Sequence, residues 1–305
     1  MHNLLERYYQ LRELISEDSI RHDELLKQHT YTRMGGKADL YVTPDRHEEL
    51  QVIINFARQH QLPLTILGFG SNLIVKDGGI RGIVVNLNRL NQIVRNEHKI
   101  IAQSGAAIID VSRAALEHRL SGLEFACGIP GSVGGALYMN AGAYGGEIAD
   151  VLESALLLTP EGELVRLTKE QLELGYRRSN IGPNRYIVLE ATFSLVSGEY
   201  DVVKAKMDEL THLRESKQPL EYPSCGSVFK RPPGRFAGQL IQESGLQGTR
   251  IGGAEVSTKH AGFIVNVDDA TASEYISLIR HVQQTVNERF GVELETEVRI
   301  IGEDK

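Results

Sequence analysis

Two glycine-rich stretches hold the residues best suited to a nucleotide ligand. In Gly68-Phe69-Gly70-Ser71-Asn72, two glycines flank one residue. The backbone can turn sharply there and aim N–H groups at one point, and Ser71 and Asn72 add short donors. Such a nest suits a pyrophosphate; the plainer reading is a turn that ends a strand. The dinucleotide fingerprint G-x-G-x-x-G is incomplete, because Leu73 stands where the third glycine belongs, and no GxxxxGK[ST] loop occurs. The second stretch runs from Gly128 through Gly131, Ser132, Gly134 and Gly135, then from Asn140 through Ala141 and Gly142 to Gly146. Eight glycines fall between Gly122 and Gly146. Glycine is costly in chain entropy, so this density asks for a reason. Close approach of backbone to a flat phosphorylated ligand is one, and a flexible surface loop is the other. Interleaved Ile129, Val133, Leu137 and Met139 point to burial and favour the ligand. Two nests in one chain suit a ligand with two ends, such as a dinucleotide.

Charged and hydroxyl groups cluster elsewhere. Gly175-Tyr176-Arg177-Arg178-Ser179 puts two guanidinium groups after a helix that a Thr168–Gln171 capping box predicts; surface arginines are the plainer reading. Ser224-Cys225-Gly226-Ser227 precedes Val228-Phe229-Lys230-Arg231. A serine after glycine in a loop suits a nucleophile, but the GxSxG elbow is absent, and a structural serine is the simpler account. Glu295 and Glu297 alternate with Thr296 and Val298 on a predicted strand and so share a face, which solvent alone would explain. The ten histidines show no HExxH, and no metal site is expected.

The elements that must position these groups read as mixed α and β. Residues 3–28 read as a polar helical appendage. Thr43-Pro44-Asp45 marks a helix start, and Leu50, Ile53, Ile54 and Ala57 fall on its apolar face. Leu64–Leu67, Ile83–Leu87 and Tyr186–Leu195 read as strands. Val202 to Leu213 outlines a helix, 219–235 a Pro/Gly/Ser-rich loop, and Ala237 to Ile241 a short helix with Gly245 as cap. Tyr275 to Phe290 is an amphipathic helix stopped by Gly291, with strands at Phe263–Val267 and Glu295–Ile300. The chain of 305 residues suits two or three domains. Its 40 acidic against 33 basic residues argue against a nucleic-acid surface. No apolar run is long enough for a membrane span, and MHNLLERYYQ lacks the apolar core expected of a signal peptide. The two cysteines, Cys127 and Cys225, form no CxxC, which fits a reducing cytoplasm.

Seven blocks now fall in one order: YTRMGGKADLYV, GFGSNLIV, GIPGSVGGALYMNAGAYGGEI, GYRRSN, KQPLEYPSCGSVFK, RIGGAEVSTKHAGFIVN and LETEVRIIG. Together, over about residues 30–302, they resemble the UDP-N-acetylenolpyruvoylglucosamine reductase family, flavoenzymes that form UDP-N-acetylmuramate for peptidoglycan. The resemblance is to the shorter, Gram-positive-like branch, without the insertion after residue 200 that carries a substrate-covering tyrosine. It implies an α+β, vanillyl-alcohol-oxidase-type FAD-binding fold in two lobes over residues 30–198. A C-terminal α+β substrate-binding domain over 199–305 and an N-terminal helical segment over 1–29 complete the chain. It implies noncovalent FAD at Gly68, Gly70, Ser71, Asn72, Gly128, Gly131, Ser132, Gly134, Gly135, Ala141 and Gly142, with NADPH as reductant. Hydride would pass from flavin N5 to C3 of the enolpyruvyl ether, and a proton from Ser227 to C2. Arg177 takes the place of the catalytic arginine that holds the carboxylate, and Glu297 that of a protonated hydrogen-bond donor beside it. Tyr176, Lys217, Arg231 and Arg299 match substrate-binding positions. A nucleotide sugar and NADPH are the expected partners, with no nucleic acid, membrane or metal. Two alternatives stay open: a flavin-dependent oxidase of the same FAD fold, for which Cys127 would be a tether, and a non-enzymatic nucleotide-binding module.

Overall fold

The computed structural model describes residues 2–305. The chain divides into two compact units, each assembled from three segments. Met1–Arg21, Leu40–Phe69 and Ile83–Arg214 form the first, and His22–Asp39, Gly70–Gly82 and Glu215–Lys305 the second.

The first unit holds two hydrophobic cores. One gathers around the helix His47–Gln59, whose Leu50, Ile53, Ile54, Phe56 and Ala57 are buried. The apolar spacing of three and four residues puts these side chains on one face, and each fully buried aliphatic group contributes about 1.5–3 kcal/mol. The helix starts later than Thr43-Pro44-Asp45 suggests, with Arg46 as N-cap. Buried Glu49 turns back instead, accepting the N–H groups of Asp45 and Ser16 at 3.0 Å each. The strand Leu64–Leu67 pairs in parallel with Ile83–Asn86, from Leu64↔Ile83 to Leu67↔Asn86. The helix expected over 3–28 is much shorter, His2–Arg12, and Ile20–Leu25 is a strand. The helix ends at Arg12, and the polar run Ser16-Glu17-Asp18-Ser19 passes through a single 3₁₀ turn, Glu17–Ser19, into the strand. Leu11, Ile15 and Ile20 enter the core.

The second core lies on an antiparallel sheet in the order Leu164–Thr168, Leu152–Leu158, Ile187–Ser194, Lys99–Gln103, Ile93–Asn96. Residues of the helices Ile108–Glu117 and Val133–Met139 pack into this core. The long helix Tyr200–Lys217 follows.

The second unit is built on an antiparallel sheet in the order Ser224–Ser227, Phe263–Asn266, Ala254–Val256, Arg250–Ile251. The helix Ala272–Phe290 supplies Tyr275, Ile276, Leu278, Ile279, Val282 and Val286 to its core. A Thr271/Glu274 capping box opens that helix, and Gly291, at φ 65°, closes it. Asp77 adds a second cap from far along the chain: its two carboxylate oxygens accept the Ala272 and Ser273 N–H groups at 2.9 Å. Two expectations change here. Residues 219–235 are not all loop, because Ser224–Ser227 pairs with Phe263–Asn266. The last strand is only Arg299–Ile301, parallel to Leu73–Val75, so Glu295 and Glu297 precede it.

Candidate functional site

In the first unit the second glycine stretch wraps the helix Val133–Met139. Ser132 is its N-cap, and Ser132 Oγ accepts the Gly135 N–H at 3.3 Å. The Val133 and Gly134 N–H groups donate to the Ala106 and Ser104 carbonyls, each at 2.9 Å. The first three amides of this helix are thus spent inside the protein. The glycines here serve close packing: a Cβ on Gly134 would collide with Ser104 Oγ, and one on Gly68 would sit 2.6 Å from Ser132 Oγ. The amides of Gly128, Gly131 and Ser132 find no acceptor among the described residues, and Gly131, at φ 149°, needs its glycine. In the second unit, Gly70 packs on the 29–34 loop. Its carbonyl accepts the Tyr31 N–H at 3.1 Å, and a Cβ on it would lie 2.8 Å from Thr30 Cα. The Gly70, Ser71 and Asn72 amides find no acceptor among the described residues. Thr32 is fully buried, yet its Oγ1 has no partner among the described residues. Unspent amides are what a multiply charged acceptor such as a phosphate satisfies, so each loop, within its own unit, fits a phosphate-bearing ligand.

Tyr176 and Arg177 occupy the two central positions of a tight turn. The Gly175 N–H donates to the Arg178 carbonyl at 3.0 Å, and the Arg178 N–H to that of Gly175 at 3.1 Å. Arg177 sits at φ 55°, a left-handed conformation that an arginine holds only where its surroundings impose it. Its Nη2 donates to the Gly142 carbonyl at 3.1 Å, and its guanidinium carbon lies 5.4 Å from the Tyr176 ring centroid. Gly142, Tyr176 and Arg177 are therefore brought together. The Thr168–Gln171 capping box makes both its bonds, at 2.9 and 3.5 Å, but no helix follows. The chain turns once and leaves through Glu173 at φ 49°.

The second unit brings together Asn72, Ser227, Glu297 and Arg299. The Glu297 N–H donates to the Val228 carbonyl at 2.8 Å, beside Ser227. Asn72 Nδ2 donates to the Glu297 carbonyl at 3.3 Å, and the Asn72 carbonyl accepts the Arg299 N–H at 3.1 Å. Ser227 is exposed at the end of its strand. One extra residue between Ser224 and Ser227 bulges that strand, with Gly226 at φ 77°; bulges re-aim the side chains beside them. Glu297 is half-buried, whereas Glu295 is exposed and paired with Lys230 at 2.5 Å, so the two carboxylates do not share an environment. Arg231 stacks on Phe236, 4.3 Å from the ring centroid, and Lys217 is exposed at the end of its helix.

Behind Ser227, Tyr275 Oη donates to the Ile264 carbonyl at 2.6 Å and lies 3.2 Å from Cys225 Sγ. Both cysteines are free. Burial pushes the Cys225 thiol up to about 11. The folded chain therefore keeps a proton that the unfolded chain releases at lower pH, and this contribution to stability, full below about 9, is lost as pH climbs towards about 11. Native protein at pH ~8 should leave Cys225 unlabelled by a thiol reagent until it is denatured. Mass mapping of alkylated peptides checks this, and rapid native labelling at Cys225 would contradict its burial.

Thr32 and Ser104 were not singled out from the sequence, and Asn140 was read only as the start of a glycine-rich run. Asn140 is fully buried, left-handed at φ 43°, and joins the end of the helix Val133–Met139 to the Arg177 turn. Its one legible signal was the tolerance of asparagine for that conformation.

Two family models match the chain: UDP-N-acetylenolpyruvoylglucosamine reductase, C-terminal domain, over residues 218–301, and FAD binding domain, over residues 38–168. The UDP-N-acetylenolpyruvoylglucosamine reductase of Oceanobacillus iheyensis is 67% identical over 297 residues, covering 97% of each chain. The reductase 2 of that name from Bacillus anthracis is 62% identical over 303 residues, covering 99% of each. Among solved structures, the UDP-N-acetylenolpyruvylglucosamine reductase of Thermus caldophilus is similar with a TM-score of 0.80 at 35% identity, over 92% of this chain and 99% of that one. A glucose dehydrogenase, Phl p 4.0202, has a TM-score of 0.52 at 16% identity over 65% of this chain and 44% of that one, a likeness of fold alone.

Proposed function

Since the chain belongs to the UDP-N-acetylenolpyruvoylglucosamine reductase family, we propose that it reduces UDP-N-acetylenolpyruvoylglucosamine to UDP-N-acetylmuramate for peptidoglycan synthesis. It is an FAD-dependent oxidoreductase that uses NADPH, with a vanillyl-alcohol-oxidase-type α+β fold and the family's C-terminal domain. The near-full-length identity to the Oceanobacillus reductase carries the activity. In this reading residues 30–198 hold FAD, 199–305 hold substrate and 1–29 precede both; the FAD-domain match over 38–168 and the C-terminal match over 218–301 support it.

When bound, FAD would supply the hydride chemistry between NADPH and C3 of the enolpyruvyl group. The chain's own residues do the rest. The unspent amides of Gly70, Ser71 and Asn72, and those of Gly128, Gly131 and Ser132, hold the cofactor's phosphates. Arg177, fixed by Gly142, holds the substrate carboxylate, into which the charge left at C2 spreads. Glu297, its backbone pinned by Val228 and Asn72, donates a hydrogen bond to that charge in its protonated form. Ser227 delivers the proton to C2. Tyr176, Lys217, Arg231 and Arg299 bind the nucleotide sugar and NADPH. We assign the flavin no covalent tether; Cys127 Sγ lies 3.5 Å from the Met207 carbonyl and 3.6 Å from Thr211 Oγ1 on the helix Tyr200–Lys217, which supports this. No described helix is long and apolar enough to cross a membrane, and the cytoplasm, where NADPH is kept, is the proposed compartment.

Purified protein should be yellow and release its flavin on acid precipitation. NADPH should bleach the visible band under anaerobic conditions, and the enolpyruvyl nucleotide should restore it. If both substrates visit one place in turn, double-reciprocal plots are parallel, as in ping-pong kinetics. Intersecting lines without substrate inhibition would remove that shared place. A bleached band that the nucleotide leaves unchanged would remove the activity.

A further inference from the structure

The geometry points to Asn140 as the residue that positions Arg177, an inference that rests on Arg177 holding the substrate carboxylate. Arg177 stands on a two-residue turn in a backbone conformation that costs energy, so something outside the turn must fix it. Two contacts that help to do so come from the segment that ends the helix Val133–Met139. At the base of the turn, Asn140 Nδ2 donates to the Gly175 carbonyl at 3.1 Å. Near its tip, Arg177 Nη2 donates to the carbonyl of Gly142 at 3.1 Å, two residues beyond Asn140.

The Gly175 carbonyl also accepts the Arg178 N–H at 3.1 Å, so both of its lone pairs are used and its direction is set. The other end of the Asn140 amide is equally committed, because Oδ1 accepts the Ala149 N–H at 2.9 Å. The amide thus bridges the turn to the helix Ile148–Val151. Helix capping does not explain the choice of residue. Glycine closes a helix in the left-handed conformation at less cost than asparagine, but it makes neither side-chain bond. A donor and an acceptor on one buried, short side chain are what the bridge requires.

Asn140→Asp separates these functions. Aspartate has the same shape, tolerates the same backbone, and keeps an acceptor for Ala149. Ionised, it has no donor for the Gly175 carbonyl and repels it; protonated, its O–H restores the donor. Burial raises a carboxyl group, so the protonated form prevails towards acid. The charged groups on the bridged elements are Arg177 and Arg178 on the turn and Glu147 and Asp150 beside Ala149. They are common to wild type and variant, so a differing pH response belongs to residue 140.

The test uses flavin-loaded protein, with flavin content and melting temperature recorded. Reoxidation of the reduced enzyme by the enolpyruvyl nucleotide should fall about 10–100-fold in Asn140→Asp at pH near 9, the usual effect of a displaced catalytic group. It should recover to within a few-fold of wild type near pH ~6, where the carboxyl is protonated. Bleaching by NADPH should stay unchanged at both pH values. Affinity for the product UDP-N-acetylmuramate, measured by calorimetry, should weaken at the higher pH only. Asn140→Gly should show the same selective loss at every pH, and it stands in if the aspartate variant does not load flavin. Wild-type reoxidation at both pH values, or equal loss in both half-reactions, would overturn the role of Asn140. A wild-type Arg177→Lys would instead overturn the reading of Arg177.

Discussion

Ser227→Ala should slow reoxidation by the enolpyruvyl nucleotide about 10²–10⁴-fold, the usual worth of a positioned general acid, while NADPH bleaches the flavin at the wild-type rate. Reducing the flavin places no proton on C2, whereas reducing the enolpyruvyl group does. The structure sharpens the contrast with a serine that merely shapes its loop. Ser227 is exposed, and its hydroxyl makes no hydrogen bond among the described residues. Truncating such a group changes stability by about 0.5 kcal/mol or less. The local frame does not depend on it. The bulge is set by Gly226 at φ 77°, and the strand behind it by the Cys225–Tyr275–Ile264 contacts. Melting temperature and flavin content should therefore match wild type. Ser227→Cys should recover part of the rate, because a thiol also delivers a proton. Stopped-flow traces of the two half-reactions separate the readings, and equal slowing of both would reject the proton-donor role.

Where the chain follows a local rule, the sequence was readable. Leu50, Ile53, Ile54 and Ala57 announced a helix face and are all buried, and Gly291 announced the end of the last long helix and caps it. The seven ordered blocks pointed to the family because their order along the chain is itself specific. What stayed illegible depends on partners distant in sequence. Ser224–Ser227 has no strong strand former, and its pairing is supplied by Phe263–Asn266. Ile20–Leu25 has no alternation, because only Ile20 of its six residues is buried. The Thr168–Gln171 bonds formed as expected, but a capping box starts a helix only where the following turns hold, and Glu173 ends the run. The glycines read as ligand nests differ in what their amides do. Amides 133–135 are consumed by Ala106, Ser104 and Ser132, while those of Gly128, Gly131 and Ser132 find no acceptor among the described residues. A glycine count cannot separate packing from binding, because both need backbone in close approach.

Arg177→Lys should not behave as a conservative change. Both residues carry one positive charge, and both pay the same backbone cost at φ 55°, so stability should move little. They differ in how the charge is presented. Arginine offers a planar fork, so Nη2 can rest on the Gly142 carbonyl at 3.1 Å while the same rigid group meets a carboxylate. Lysine has a single ammonium on a flexible stem and cannot hold both directions at once. Its stacking on Tyr176 is also lost, since the 5.4 Å approach to that ring is made by the guanidinium. An underpaired carboxylate costs about 1–3 kcal/mol, which is about a 5–150-fold slower enolpyruvyl half-reaction. The loss should be larger in reoxidation than in binding of the nucleotide, because charge spreads onto the carboxylate only as hydride arrives, and only interactions that strengthen in the transition state raise the rate. NADPH should still bleach the flavin normally. Single-turnover reoxidation at saturating nucleotide measures the effect directly. Wild-type turnover in the lysine variant would show that the strained turn holds surface charge and nothing more.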